Sequence, residues 1–235
     1  MKGDYKYPGE ELALFQHAKH WKKYFSRQIK PYLKGKVLEA GAGIGNNTNL
    51  LNDGSFLTWL LLEPDTEMAI KLQKNILNKT SPANCSIQKG TINNINEKFD
   101  TIIYIDVLEH IEADKEELQK ANDLLNKCGH IIVLSPAYNH LYIPFDKAIG
   151  HYRRYNKRML GKLSPPGTDI IKCQYLDTMG YFGLLINKIF MRHTMPSRNK
   201  ILIWDRFLVP VSAVTDLLFF HSFGKSIISI WKKKD

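Results

Sequence analysis

Cysteine is scarce in this chain: three residues, Cys85, Cys128 and Cys173, stand far apart among 235 positions. Their odd number and the lack of any Cys-x-x-Cys pair or neighbouring His at ligand spacing exclude a disulfide framework and a structural zinc site. Apolar runs are short and interrupted, none reaching the roughly 20 residues that span a bilayer. The stretch from Met1 to Glu10 is polar and charged, without an apolar leader, so a cytoplasmic location is expected. Internal repeats, low-complexity tracts and a Gly-x-Ser-x-Gly elbow are also missing, and with the last goes the usual signal for triad hydrolysis. Acidic residues are outnumbered, 23 against 33 Lys and Arg, for a net charge of +10. That balance favours anionic partners or an anionic membrane surface. The lysines are scattered and no added nucleic-acid module is visible, which argues against nucleic acid as the partner.

What is present reads as one globular domain. From Glu10 to Ile29, the residues Leu14, Ala18, Trp21, Phe25 and Ile29 recur at steps of three and four, the stripe of an amphipathic helix that Pro31 ends. Lys36–Glu39 reads as a short buried strand, GAGIG as a tight turn, and NNTNLL as a helix start capped by Asn or Thr. The pattern then repeats, with a strand over Leu57–Leu62, a stop at Glu63-Pro64-Asp65 and a helix carrying Met68, Leu72 and Ile76 on one face. Further strands are read at Ser86–Lys89, Phe99–Ile105, His130–Leu134, Asp169–Gln174 and Lys225–Trp231. A helix over Lys115–Asn126 aligns Leu118, Ala121 and Leu125, with Gly129 as its stop. Seven strands alternating with helices imply an α/β fold, a mainly parallel sheet with helices on both faces. Two segments fall outside the alternation: 136–166, aromatic and basic without a clear period, and 180–223, an apolar helical stretch interrupted by Pro196 and Pro210.

The chemistry begins at VLEAGAGIG. Gly41, Gly43 and Gly45 follow the first strand, where residues without a side chain let backbone pass closely beside a ligand, or simply make a turn. Glu63 ends the second strand, 22 residues beyond Gly41. A carboxylate there can accept hydrogen bonds from both hydroxyls of a ribose, and an exposed loop carboxylate is the plain alternative. A dinucleotide fingerprint is G-x-G-x-x-G, whereas this chain reads G-x-G-x-G, with Asn46 where the final glycine should fall and Glu39 just ahead of the first. That spacing favours S-adenosylmethionine over NAD.

EAGAGIG, LLLEPD and FDTIIYIDVLEHI resemble successive motifs of the class I S-adenosylmethionine-dependent methyltransferases over about residues 36–135, and the chain is similar to the bacterial branch acting on small molecules or glycans. The resemblance implies a Rossmann-like fold and a single methyltransferase domain over 1–235, with an N-terminal helix at 10–29 and acceptor-side insertions at 136–166 and 180–223. It implies that Glu39, Gly41, Gly43 and Gly45 line the methionine end of the cofactor, and that Glu63, with Pro64 beside it, holds the ribose. Gly90 and Thr91 would flank the adenine, although the acidic residue many relatives place there is absent. Asp106 and Val107 would approach the cofactor while His110 faces the acceptor, with Glu109 structural.

His110 sits where a proton can be moved at near-neutral pH, or else caps the next helix. The stretch FDKAIGHYRRY resembles the segment that borders the acceptor pocket in bacterial methyltransferases. It offers His151 as a second base, Tyr152 as an aromatic wall, and Arg153 and Arg154 as clamps for phosphate or carboxylate; the arginines can equally pair with acids to pin the loop. His17 and His20 read as surface or packing residues, and no metal site is evident from spacing. The expected function is methyl transfer to a small metabolite, glycan or lipid-linked intermediate. An NAD-dependent oxidoreductase and a non-catalytic cofactor-binding subunit are the competing readings.

Overall fold

The structure is a computed structural model that describes residues 15–78, 83–190 and 197–235. Seven strands form one sheet: β1 (Lys36–Ala40), β2 (Thr58–Glu63), β3 (Cys85–Lys89), β4 (Phe99–Ile105), β5 (Leu125–Pro136), β6 (Thr168–Leu176) and β7 (Ser226–Lys233). Their spatial order is β3-β2-β1-β4-β5-β7-β6. Every pairing from β3 to β5 is parallel, and β7 alone is reversed, lying antiparallel to both β5 and β6. The order reverses direction between β1 and β4, so the loops leaving these two strands diverge and open a crevice at their carboxyl ends.

Strands β2 and β4 and the second half of β5 are nearly continuous apolar runs because both faces are covered. Neighbouring residues point to opposite sides, and two cores result. One contains Leu38, Tyr104, Ile131 and Trp231, and the other Val37, Trp59, Ile103 and Ile132. On the second face lie α1 (Lys19–Ile29), which buries Trp21, Phe25 and Ile29 as its stripe predicts, and α3 (Thr66–Asn78), with α2 (Thr48–Leu51) after the glycine turn. On the first face lie α4 (Asp114–Asp123) and α6 (Lys157–Leu163). The remaining helices are α5 (Pro144–Ala148), α7 (Thr178–Phe190), α8 (Arg198–Ile203) and α9 (Val209–Leu218).

Several local expectations are corrected. The helix read over 10–29 is regular only from Lys19, because the chain turns at Gln16-His17; residues 10–14 lie outside the described residues. Asn47 caps nothing with its side chain, and the Thr48 hydroxyl donates instead to Glu39, 2.9 Å away. Gly129 does not stop a helix. The preceding helix ends at Asp123, and Gly129 lies inside β5, next to Cys128 at φ 58° and a register shift against β4. A Cβ at Gly129 would come within 2.9 Å of the Asp100 carbonyl oxygen, so the bulge needs glycine there. The 136–166 segment, without period in sequence, holds α5 and α6 and is stitched to the sheet by a parallel bridge between Ala137 and Tyr155. Pro210 lies in the first turn of α9 and does not break the helical path, because the five residues Trp204–Leu208 before it form a π turn. A wider turn relieves the clash of the proline ring with the carbonyl four residues back and absorbs its missing N–H. Pro196 lies outside the described residues.

Candidate active site

A cavity of about 810 Å³ fills the crevice between the β1 and β4 loops. Its end beside the glycine turn is made largely of backbone. Gly41 is at φ 64°, and a Cβ there would lie 2.6 Å from a methyl of Val107. Glycine is thus required both for the turn and for the approach of the β4 loop. Gly45, at φ 78°, abuts Leu72 of α3 and supports the turn from outside the cavity lining. Glu63 projects from the end of β2 and ties two loops together: one carboxylate oxygen accepts from the Gly43 N–H at 2.7 Å, the other from the Asp65 N–H at 2.9 Å. Each oxygen keeps a second lone pair for a ligand hydroxyl. Burial raises the Glu63 pKa against the lowering effect of these two N–H groups. Pro64, Gly90, Thr91 and Val107 also line the cavity.

Glu39 does not. It is buried and accepts on one oxygen from both Thr48 Oγ1 and Trp59 Nε1, each at 2.9 Å. Its side chain belongs to the packing behind the glycine turn, and burial pushes its pKa up to about 7.

The opposite end of the cavity is made of side chains. Asp106 follows β4 at φ 54° and opens to the cavity, although protein surrounds it; desolvation lifts its pKa to about 6, opposed by His151 and Lys225. His110 and His151 meet edge to face, ring centroids 4.5 Å apart. Burial, reinforced by His151, pulls His110 down to about 3, so its imidazole is neutral and only weakly basic, unlike the near-neutral titration expected for an exposed ring. His151 Nδ1 lies 3.0 Å from Asp146 Oδ1, and Asp146 also accepts from Arg154 Nε at 2.9 Å and from the Ile143 N–H at 2.8 Å. Burial works against ionised Asp146, but the His151 and Arg154 bonds outweigh it and hold its pKa below the ordinary value. Glu109 is buried between these groups, its pKa pushed well up by desolvation and then by Asp106.

Residues 14–173 match the family described as "Methyltransferase domain", about two thirds of the chain. The chain belongs to that family. It is a methyltransferase, and its fold is that of class I. No sequence among curated proteins matches significantly. Among solved structures, an S-adenosylmethionine-dependent methyltransferase from Thermotoga maritima shares 16% identity and a TM-score of 0.61, over 96% of this chain and 95% of that one. One from Clostridium acetobutylicum shares 14% and 0.57, over 93% and 92%. A phosphoethanolamine N-methyltransferase from Haemonchus contortus, solved with phosphomonomethylethanolamine and S-adenosylhomocysteine, shares 11% and 0.64, over 96% of this chain and 58% of that one. At such identities the likeness is one of fold.

The GHYRRY segment of the methyltransferase divides between two jobs. His151 and Arg154 line the cavity, whereas Tyr152 and Arg153 lie outside the lining. Tyr152 is 54% exposed. Arg153 donates to Asp114 at 2.5 Å and to the Glu112 carbonyl at 2.8 Å, and Tyr155 donates to the same Asp114 carboxylate at 2.8 Å. Arg153 thus pins the loop to the start of α4. Arg154 does so too, through its fork on buried Asp146, and it also belongs to the cavity lining.

Sequence reasoning missed the apolar wall and its cation. Trp21 and Phe25 of α1 and Trp204 of the π turn line the cavity, and the Lys225 ammonium lies 3.4 Å from the Trp204 ring centroid and 3.4 Å from Asp177 Oδ2. Desolvation lowers the Lys225 pKa against the opposing pull of Asp177. These residues come from opposite ends of the chain, and no local motif announces them. His20, read as a surface or packing residue, has its Nδ1 3.0 Å from Asp205, which also accepts from the Trp21 N–H at 2.8 Å and so docks α1 against the π turn.

Proposed function

We propose that the methyltransferase binds adenosylmethionine with its ribose on Glu63, its adenine beside Gly90 and Thr91, and its methionine end along Gly41 and Gly43. The methyl group then points past Asp106 and Val107 towards His110 and His151. The observation that carries this reading is the single continuous cavity, with a backbone-lined glycine end and an end holding two imidazoles, both at the switch point of the sheet. The sulfonium already activates the methyl group, so the protein aligns an acceptor behind it and excludes water. The Trp21, Phe25 and Trp204 wall suits an acceptor with an apolar portion, and the polar end one with a hydroxyl: a small metabolite, glycan or lipid-linked intermediate.

A peripheral membrane position is favoured by one further observation. In the described residues no helix is long and apolar enough to cross a membrane. Along α8, the π turn and α9, however, Phe207, Val214, Leu218 and Phe220 are exposed, and so are Arg198 and Arg206, the latter lying over the Phe207 ring. The acids there, Asp205 and Asp216, are buried. An exposed face of apolar and basic groups without exposed acid fits an anionic lipid surface.

Transfer of label from methyl-labelled adenosylmethionine into a host-cell extract identifies the acceptor. In the same preparation, Glu63→Ala is expected to weaken adenosylhomocysteine about 10- to 100-fold by calorimetry, the loss of roughly 1.5–3 kcal/mol of charge-assisted hydrogen bonding. Saturable NADH binding without any response to adenosylhomocysteine would turn the reading towards an oxidoreductase.

A further inference from the structure

Glu109 is out of place as a structural residue. Its side chain is fully buried, and neither carboxylate oxygen has a partner of full hydrogen-bond geometry among the described residues; the Ser135 hydroxyl and the Glu109 backbone N–H lie near and are poorly aligned. The neighbouring buried carboxylates Glu39, Glu63 and Asp146 are all supplied with donors. Glu109 instead faces two imidazoles.

His151 Nε2 lies 3.9 Å from Glu109 Oε1, and one ligand atom from each of Glu109, His110 and His151 falls within 4.8 Å of the other two. A four-coordinate ion with bonds near 2.0 Å holds adjacent ligand atoms roughly 3.3 Å apart, so small side-chain rotations would close the set. Both rings are already oriented. His151 engages Asp146 through Nδ1, which leaves Nε2 turned towards Glu109, and Asp146 is fixed in turn by the Arg154 fork. His110 is hydrogen-bonded to the Gly150 backbone. A carboxylate or carbonyl holding the far nitrogen of an imidazole is the usual support of a histidine that binds a metal through its other nitrogen.

We propose that Glu109, His110 and His151 bind one divalent transition-metal ion at the acceptor end of the cavity, leaving an open coordination position for an acceptor hydroxyl. Two nitrogens and one oxygen suit zinc or iron(II) better than magnesium or calcium, which favour oxygen donors throughout. Only the role of the ion rests on the methyltransferase reading. A coordinated hydroxyl loses its proton to solvent; its oxygen then forms the O–CH3 bond as the S–CH3 bond breaks, and that bond's electron pair stays on sulfur in adenosylhomocysteine.

The test uses the full, untagged chain, stripped with a chelator and titrated with Zn²⁺ against a chromophoric competitor, with neither cofactor nor acceptor added. Wild type is expected to take one equivalent. Glu109→Gln and His151→Gln are expected to bind at least 10-fold more weakly, while stripped Glu109→Gln melts no lower than stripped wild type. Cobalt(II) in the wild-type protein should give the visible absorption of a low-coordinate nitrogen and oxygen site, a readout independent of any variant's folding. Absence of zinc uptake, variants that bind like wild type, or cobalt with only the spectrum of the aqueous ion would each overturn the site. Adenosylhomocysteine calorimetry on the same samples separates the two readings. Cofactor binding without zinc uptake removes the metal and leaves the methyltransferase; zinc uptake without cofactor binding upholds the site and removes its role in methyl transfer.

Discussion

Between Lys36 and Val107 the cavity is built of backbone: a glycine turn, a β4 loop packed against it, and Glu63 fastening two loops through their N–H groups. The rest of it is built of side chains delivered by α1, the turn after β4, α5, the segment after it, α7, α8, the π turn and the residue before β7. On the proposed reading the first half receives a cofactor whose shape is fixed, and backbone geometry at a switch point suffices for that. The second half must suit one acceptor, so its side chains are held by specific ion pairs such as Arg154 on Asp146. Substitutions should therefore fail differently in the two halves.

The sharpest break is expected at the glycine turn. Gly41→Val puts a branched side chain at φ 64° and into Val107. The left-handed conformation alone costs about 1–2 kcal/mol for a residue with a Cβ, and the displaced β4 loop carries the cofactor surface with it. Adenosylhomocysteine binding should fall by more than about 100-fold, with a lower melting temperature. Calorimetry and a thermal melt check this, and near-normal affinity would show that the turn does not face the cofactor.

Arg154→Ala tests the other half. Both partners of the Arg154–Asp146 pair are buried, and removing one partner of such a pair typically costs about 3–5 kcal/mol, because the remaining charge is left in the interior. Chemical denaturation should report that loss. A stable variant with intact cofactor binding and no turnover would instead make Arg154 an acceptor contact.

The same division explains what could be read from the sequence. Gly41, Glu63 and Asp106 lie at the ends of three short apolar strands, so strand period and glycine spacing placed them before any coordinates. Strand β4 was legible to its end residues because its seven residues are apolar or β-branched apart from Asp100. Strand β5 was read short, since its beginning, Leu125-Asn126-Lys127-Cys128-Gly129, is polar, passes through the Cys128 bulge and has no alternating pattern. Glu39 was read as a ligand residue because motif spacing says nothing of side-chain direction; the pleat turns it towards Trp59. Lys225, Trp21 and Trp204 were beyond reach, because contacts between residues so distant in the chain leave no periodic signal.

Glu39 sharpens the comparison at smaller cost. Its pKa rises from 4.5 to about 7 on folding. The folded state then holds the proton that the unfolded state has already lost, so this residue makes stability fall as pH rises from about 4.5 through 7, with the deficit complete above that. The full effect is on the order of 3 kcal/mol. Glu39→Gln keeps a carbonyl oxygen for Thr48 and Trp59, and should flatten the pH dependence of the denaturation midpoint between pH 5 and 8 while leaving adenosylhomocysteine affinity within about threefold. A large loss of affinity would return Glu39 to the cofactor surface.

The smallest effect concerns the outside of the acceptor half, where membrane contact would be weak and reversible. Phe220 is 87% exposed and Leu218 68%, and with Phe207 and Val214 they crown helices whose acids, Asp205 and Asp216, are turned inward. Asp216 accepts from the Tyr24 hydroxyl and the Asp177 and Thr178 N–H groups, so its burial is part of the fold and the outer face is left apolar and basic. Each fully buried large apolar side chain contributes roughly 1.5–3 kcal/mol and each basic residue near an anionic surface about 1 kcal/mol, but partial insertion yields only a fraction of this. Sedimentation with anionic liposomes at low salt should carry down a measurable share of the protein, neutral liposomes much less, and Phe207→Ser with Leu218→Ser should reduce the anionic share several-fold at unchanged cofactor affinity. If the protein stays in the supernatant with both lipids, the exposed face of α8 and α9 is to be covered by a second copy of the chain instead. Sedimentation equilibrium would then show a dimer that the same two substitutions dissociate.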